Sequence, residues 1–210
     1  MKNPDLLLFA RHPIPGQSKT RLQSVCGPEK AAEISEFLIR TSCQNAVENW
    51  PGDVFLYGSP DSNHPVFQSL AQELHIVLKD QGSGDLGQKM ASAMEYHINR
   101  KGAAAIMGID IPHCPGEVIE KAYDFLADDE SVIGPTDDGG YYLIGLAVME
   151  QSLFKDIAWG TASVLKSTMD KASQASITFE LLPMLKDIDT WDDLWLVSQV
   201  YEPLKQFVAD

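Results

Sequence analysis

The sequence predicts an α/β fold: a single domain over residues 1–210, with a mostly parallel central sheet and helices on both faces. Three observations carry this. Residues 6–10, 103–109 and 131–135 are short runs of apolar or small residues without polar alternation, the mark of strands buried on both faces. Such runs alternate along the chain with amphipathic stretches of helical period, the order of βα units. Several runs stop at acidic or glycine-rich segments, and the C-terminal strand ends of open α/β sheets are where ligands bind. A length of 210 residues suits one such domain with a sizeable core. No internal repeat, low-complexity segment or linker interrupts it.

Residues 6–10 form the first strand. The segment after it, RHPIPGQSKTRL, holds two prolines and a glycine, which exclude a helix through its first half. Pro28 then opens a helix at its first position, with Ala31, Ile34, Phe37 and Leu38 on one face, and Trp50-Pro51-Gly52 ends it near Asn49. Residues 53–57 are the second strand, 66–74 a short helix and 75–78 the third strand. Asp85 with Gln88 has the spacing of a capping box, so a helix starts there and runs to Lys101-Gly102. The central strand, 103–109, follows. Pro115 opens the next helix, and the strands 131–135 and 141–146 come after it. A helix over 161–172, a late strand over 177–182 and a final helix over 191–207, capped by Thr190, complete the chain.

Net charge is −14, which speaks against a nucleic-acid partner. The first forty residues nevertheless carry six Lys or Arg against four acids. A cationic N-terminal segment in an acidic protein suits a phosphorylated small molecule. No apolar run reaches membrane-spanning length. Residues 6–10 lack the length and the cleavage site of a signal peptide, so the expected location is the cytosol. Cys26, Cys43 and Cys114 are odd in number and unpaired in spacing, against a disulfide framework or a zinc knuckle. His64, His75 and His97 show no metal-ligand spacing. His113 and Cys114, close behind Asp110, are expected at solvent beside the site.

Five segments concentrate the candidate chemistry. Asp110 ends the central strand. Asp137 and Asp138 end the next and lead into Gly139, Gly140 and Tyr141; an ordinary acidic turn accounts for these two equally well. The loop after the first strand brings Arg11, Gly16, Lys19 and Arg21 together, as phosphate-approaching loops do. It is neither a P-loop, since Ser18 and Pro13 stand at its glycine positions, nor GxGxxG. A second glycine-rich loop, with Gln81, Gly84 and Asp85, either lines a base or sugar pocket or serves the entry to its helix. Asp187 and Asp189 precede the final helix, where capping is the plain alternative.

FARHPIPGQSKTRL, GIDIPHCP with GPTDDGGYYLIGL, and LKDIDTWDDL together resemble small bacterial transferases of GT-A fold in the nucleotide-diphospho-sugar transferase superfamily. Related branches are molybdenum-cofactor nucleotidyltransferases and phospholactate guanylyltransferases. The resemblance runs in order over nearly the whole chain. It implies a transferase with Asp110 and Lys19 in catalytic roles and with Mg²⁺ or Mn²⁺ held by Asp110 and Asp189. It implies nucleotide contacts from Arg11, Gly16, Lys19, Arg21, Gln81, Gly84 and Asp85, and substrate contacts from Asp138, Gly139, Gly140 and Tyr141. Two departures stand out. Gln17 replaces an expected cation, and Asp110 is followed by Ile-Pro rather than a second acid, so Asp189, or else Asp137 or Asp138, must complete the metal site. Three readings stay open. One is glycosyl transfer from a nucleotide-activated sugar to a small-molecule acceptor. Another is nucleotidyl transfer from an NTP to a phosphorylated acceptor with release of pyrophosphate. The third is nucleotide binding without catalysis.

Overall fold

The computed structural model describes residues 2–209. Its seven strands are β1 (Asp5–Arg11), β2 (Val54–Ser59), β3 (Val77–Asp80), β4 (Ala104–Gly108), β5 (Ser131–Pro135), β6 (Tyr141–Leu146) and β7 (Phe179–Leu181). They form one sheet in the order β3-β2-β1-β4-β6-β5-β7. All neighbours are parallel except the two pairings of β6. The helices are α1 (Thr20–Asn49), α2 (Pro65–Leu74), α3 (Leu86–Lys101), α4 (Gly116–Ala127), α5 (Val164–Gln174), α6 (Trp191–Ser198) and a last short turn, α7 (Lys205–Val208).

Alternation along the strands divides the core into two layers. Leu6, Leu8, Ala105 and Met107 point to one face, where Ile34, Leu38, Phe67, Ile119 and Leu194 cover them from α1, α2, α4 and α6. Leu7, Ala104 and Ile106 point to the other, against Met90, Met94 and Ile98 of α3 and Ala172 of α5. In that second layer hydrogen bonds link a buried chain of polar groups. His97 Nδ1 lies 2.6 Å from Asp5 Oδ2, and its Nε2 lies 2.9 Å from the Tyr57 hydroxyl.

The order of the strands positions the site. From β1 the chain steps outward through β2 to β3, then returns to place β4 on the other side of β1. The crevice beyond the C-terminal ends of β1 and β4 is therefore the switch point of the sheet, where no crossover covers the strand ends.

Several expected boundaries shift for local reasons. α1 begins at Thr20, ahead of the expected start; Gly27, at φ 81°, breaks it, and Pro28 restarts it. The third strand begins at Val77 because His75, at φ 56°, closes α2 in the left-handed region. The helix expected over 191–207 stops at Ser198, and Pro203 sits in a separate short 3₁₀ turn. β6 is antiparallel because only residues 136–140 separate it from β5, too few for a parallel crossover. His113 and Cys114 are not at solvent beside the site. Cys114 is buried, its thiol pushed up to about 12 by burial, and both residues line a separate groove with Tyr201.

Candidate functional site

Lys19 is the hinge of the site. It sits at the N-cap of α1 with φ 46° and ψ 48°, a left-handed conformation uncommon for a residue with a β-carbon and typical of functional positions. Its ammonium lies 2.6 Å from the Ile188 carbonyl, 2.9 Å from Asp110 Oδ1 and 3.0 Å from Asp189 Oδ1. The side chain is only 7% exposed, the two carboxylates 36% and 38%. Burial alone lowers the affinity of Lys19 for its proton, but Asp110 and Asp189 more than offset this, and its pKa is raised. Arg21 Nη1 binds the other oxygen of Asp189 at 3.1 Å. The Ile188 amide donates to the Asp110 carbonyl at 3.0 Å, which fastens the segment before α6 to the end of β4.

Two cavities meet at this cluster. The larger, about 630 Å³, is polar and lies under the loop after β1. Arg11, Lys19, Arg21 and Lys89 supply its cations, Gln81 and Gly84 part of its far wall. The smaller, about 430 Å³, is mainly apolar, with Phe9, Met90, Tyr142, Trp159 and Val164 in its walls. Among the described residues its charged groups are Asp110, Asp138, Asp187 and Asp189, against Arg21 alone. Phe9, Arg21, Leu86, Asp110 and Asp189 border both.

The hairpin between β5 and β6 builds the acidic rim. Asp138 Oδ1 accepts from Thr136 Oγ1 at 2.6 Å and from the Gly140 amide at 2.9 Å. Gly139 has φ 89°, and a β-carbon there would stand 2.2 Å from the Ala162 carbonyl, so only glycine lets the hairpin meet the loop before α5. Asp187 is half-buried and carries neither ion pair nor side-chain hydrogen bond among the described residues. Burial first, then the carboxylates of Asp138, Asp189 and Asp110, raise its pKa to about 6, against the smaller pull of Lys19.

A family described as an uncharacterized protein conserved in bacteria, DUF2064, matches residues 42–161. The chain belongs to the DUF2064 family. A protein of Desulfovibrio desulfuricans G20, provisionally named a nucleotide-diphospho-sugar transferase, is 32% identical over 98% of this chain and 89% of that one, with TM-score 0.80. At the level of fold alone, 4-diphosphocytidyl-2C-methyl-D-erythritol synthase from Anaerococcus prevotii is similar at 9% identity, over 95% of this chain and 99% of that one, with TM-score 0.59. A CMP:2-keto-3-deoxy-manno-octonic acid synthetase solved with CTP is similar at 10% identity over the same shares, with TM-score 0.55. No curated protein sequence matches. By family and fold, then, this DUF2064 protein stands among the transferases. No helix of the described residues is long and apolar enough to cross a membrane.

The structure brings together Asp110, Asp189, Lys19 and Arg21, which the sequence spreads over 170 positions. Arg11, Gln81 and Gly84 face the same cavity, though the Gln81 amide is engaged by the Ala10 and Tyr57 carbonyls at 3.1 and 3.0 Å. Gly16 and Asp85 do not line it. Asp85 instead caps α3, accepting from the Gln88 amide at 2.8 Å, and borders a separate groove. Asp138, Gly140 and Tyr141 line the smaller cavity, while Gly139 supports it from behind and Asp137 turns away to Lys186. Sequence reasoning missed Lys89 and Trp159. The first lies one turn into α3, so the glycine loop before it was the available signal. The second stands in an irregular segment with no pattern to mark it.

The acids can hold a divalent cation only in part. Four carboxylates border the smaller cavity and exceed their cations, and the buried Asp110 Oδ1 has Lys19 near it but no donor in line. Yet no three His, Cys, Asp or Glu side chains converge to hold an ion among the described residues. This donor set suits Mg²⁺ or Mn²⁺ bound by one or two carboxylates, with water and substrate oxygens completing the shell.

Proposed function

We propose that this chain is a divalent-metal-dependent glycosyltransferase that uses a nucleotide-activated sugar. The observation that carries the reading is the meeting of two cavities of opposite character at Asp110, Arg21 and Asp189. The cationic cavity suits the nucleotide and its diphosphate, and fixed charges there stabilise the departing group. The acidic, apolar cavity suits the acceptor. Asp110 and Asp189 would hold the metal, which when bound neutralises charge on the leaving diphosphate. The acceptor oxygen forms its bond to the anomeric carbon while the bond from that carbon to the diphosphate oxygen breaks. The electron pair leaves with the nucleoside diphosphate. The hydroxyl proton passes to Asp187, whose carboxyl is free of other partners among the described residues. The name of the Desulfovibrio relative supports this reading. The expected cytosolic setting goes with such a donor.

A thermal-shift screen of nucleoside di- and triphosphates and nucleotide sugars, with and without Mn²⁺, tests the donor. A ligand at about 100 times its dissociation constant stabilises by about 2.7 kcal/mol, well within reach. Coupled assays then distinguish released nucleoside diphosphate from pyrophosphate. Pyrophosphate release would establish nucleotidyl transfer, a second reading favoured by the four cations of the larger cavity, which suit a triphosphate. Binding with silence in both assays would leave a non-catalytic nucleotide-binding protein.

A further inference from the structure

The smaller cavity is selective in charge. Its four carboxylates come from three separate segments of the chain, and its one cation, Arg21, is already tied to Asp189 at 3.1 Å. Lys19 and Arg11 open onto the other cavity, not this one. Lys19 and Arg21 already pair Asp110 and Asp189, so an anion placed here would meet repulsion from Asp138 and Asp187, with no free ammonium or guanidinium to pair with among the described residues. Ionised carboxylates only accept hydrogen bonds, so a guest must bring donors. Asp138 has one oxygen committed within its hairpin, and Asp187 has neither committed.

The rest of the wall is aromatic and aliphatic. The rings of Tyr141 and Trp159 stand at 83° with centroids 6.5 Å apart, making a corner rather than a slot. Such a corner receives a flat apolar face on one side and an edge on the other. The Tyr141 hydroxyl is buried and lacks a well-formed hydrogen bond, so the ring, not the hydroxyl, is what this residue offers to a guest.

We infer that the smaller cavity binds an acceptor without phosphate or carboxylate: an uncharged, hydroxyl-bearing molecule whose apolar face packs on Trp159 and Tyr141 and whose hydroxyls donate to Asp138 and Asp187. This rests on the assignment of the cationic cavity to the donor, and it goes further by excluding phosphorylated acceptors from this side. An amine bearing the same hydroxyls shares the donor chemistry and forms a separate arm of the test.

Binding is measured by ligand-observed NMR on the full chain at low ionic strength, with excess inorganic pyrophosphate present to occupy the cationic cavity. The probes are aryl and alkyl hexosides, the matching amino sugars, and the same hexosides carrying a 6-phosphate. Neutral hexosides should bind, and their phosphates should bind at least tenfold more weakly, a gap that narrows as salt screens the carboxylates. Trp159→Ala should weaken hexoside binding at least tenfold, and Trp159→Phe should restore most of it. If Trp159→Ala misfolds, Asp138→Asn with Asp187→Asn serves instead and should bring the phosphate to within about threefold of the neutral probe. The inference is overturned if phosphates bind as well as neutral probes, if no neutral hexoside binds, or if both kinds of variant bind like wild type. Preference for amino sugars over hexosides would overturn the uncharged guest and leave an ammonium in its place. Nucleotide thermal shifts are read separately. Their absence beside hexoside binding would refute the donor assignment alone.

Discussion

Replacing Lys19 by methionine keeps the length of the side chain and removes its charge. Read from sequence, Lys19 belongs to a phosphate-seeking loop, and its loss together with Arg21 should leave the unliganded melting temperature nearly unchanged. The structure reverses that expectation. The side chain is 7% exposed, and its ammonium holds Ile188 O, Asp110 and Asp189 together. Losing a charged hydrogen-bond partner costs about 1.5–3 kcal/mol, and stranding a fully buried partner charge costs about 3–5 kcal/mol. Both carboxylates are more than a third exposed, which pulls the second figure towards the surface-pair value of about 0–1 kcal/mol. A net loss of about 2–3 kcal/mol follows, or about 5–10 °C in melting temperature for a domain of this size. Arg21→Ala, at an exposed residue, is the control and should move it by no more than about 2 °C. Because the Lys19 pKa is raised in the folded state, the contribution is complete below the unfolded value of about 10.4 and fades only as pH rises past the folded one. Melting in metal-free buffer at pH 7 and again with Mg²⁺ makes the assay. Mg²⁺ should recover more for Lys19→Met than for wild type, since Asp110 is then unpaired and Asp189 keeps only Arg21. A variant that melts within about 1 °C of wild type, with no differential response to Mg²⁺, would refute the reasoning.

Asp187→Asn should raise the melting temperature at pH 8 in metal-free buffer and leave it nearly unchanged near pH 4. The folded state holds this proton up to about pH 6, so the group's favourable contribution is present below its unfolded pKa and is lost as pH rises through 6. Asp85→Ala should cost about 1 kcal/mol through the lost cap of α3 and leave nucleotide shifts intact, as titration of the variant checks. Gly139→Ala should destabilise by more than about 1 kcal/mol in denaturant melts, because its φ of 89° and the nearby Ala162 carbonyl both oppose a β-carbon. Asp110→Asn should retain the fold by circular dichroism and lose any metal-dependent part of nucleotide binding.

The sheet was legible because β1, β2, β4, β5 and β6 are mostly buried runs with visible stops, and α3 because Asp85 and Gln88 stand at capping-box spacing. The helix breaks were legible too but under-read: Pro203 lies within the span expected to be helical. The five-residue connection after Pro135 could have given the antiparallel direction of β6. Within the site, the acids at strand ends and the cations after β1 could be picked out one by one. Their pairing could not. Lys19 finds Asp110 and Asp189 only because β1 and β4 are neighbours across the switch point. Strand order depends on packing between segments far apart in the chain, which local pattern does not carry. Trp159 was hidden for the same reason, lying in a segment that becomes a wall only after β5, β6 and α5 assemble.

The bridge also changes how charge at the site is understood. Two carboxylates converging at the end of a sheet need a cation, and from sequence a metal was the available candidate. Here Lys19 already fills that electrostatic role, so the unliganded protein does not depend on an ion to keep Asp110 and Asp189 together. What remains uncompensated is the acidic excess on the other side, at Asp138 and Asp187, where burial and like charge already raise one pKa. A divalent ion arriving with a diphosphate must therefore compete with Lys19 for Asp110 and Asp189, and the phosphates are the natural new partners for the displaced ammonium. Metal and nucleotide should consequently bind with positive coupling, each promoting the other. Measured separately, either should shift the melting temperature less than the increment it adds in the presence of its partner, and strictly additive shifts would argue against exchange at Lys19.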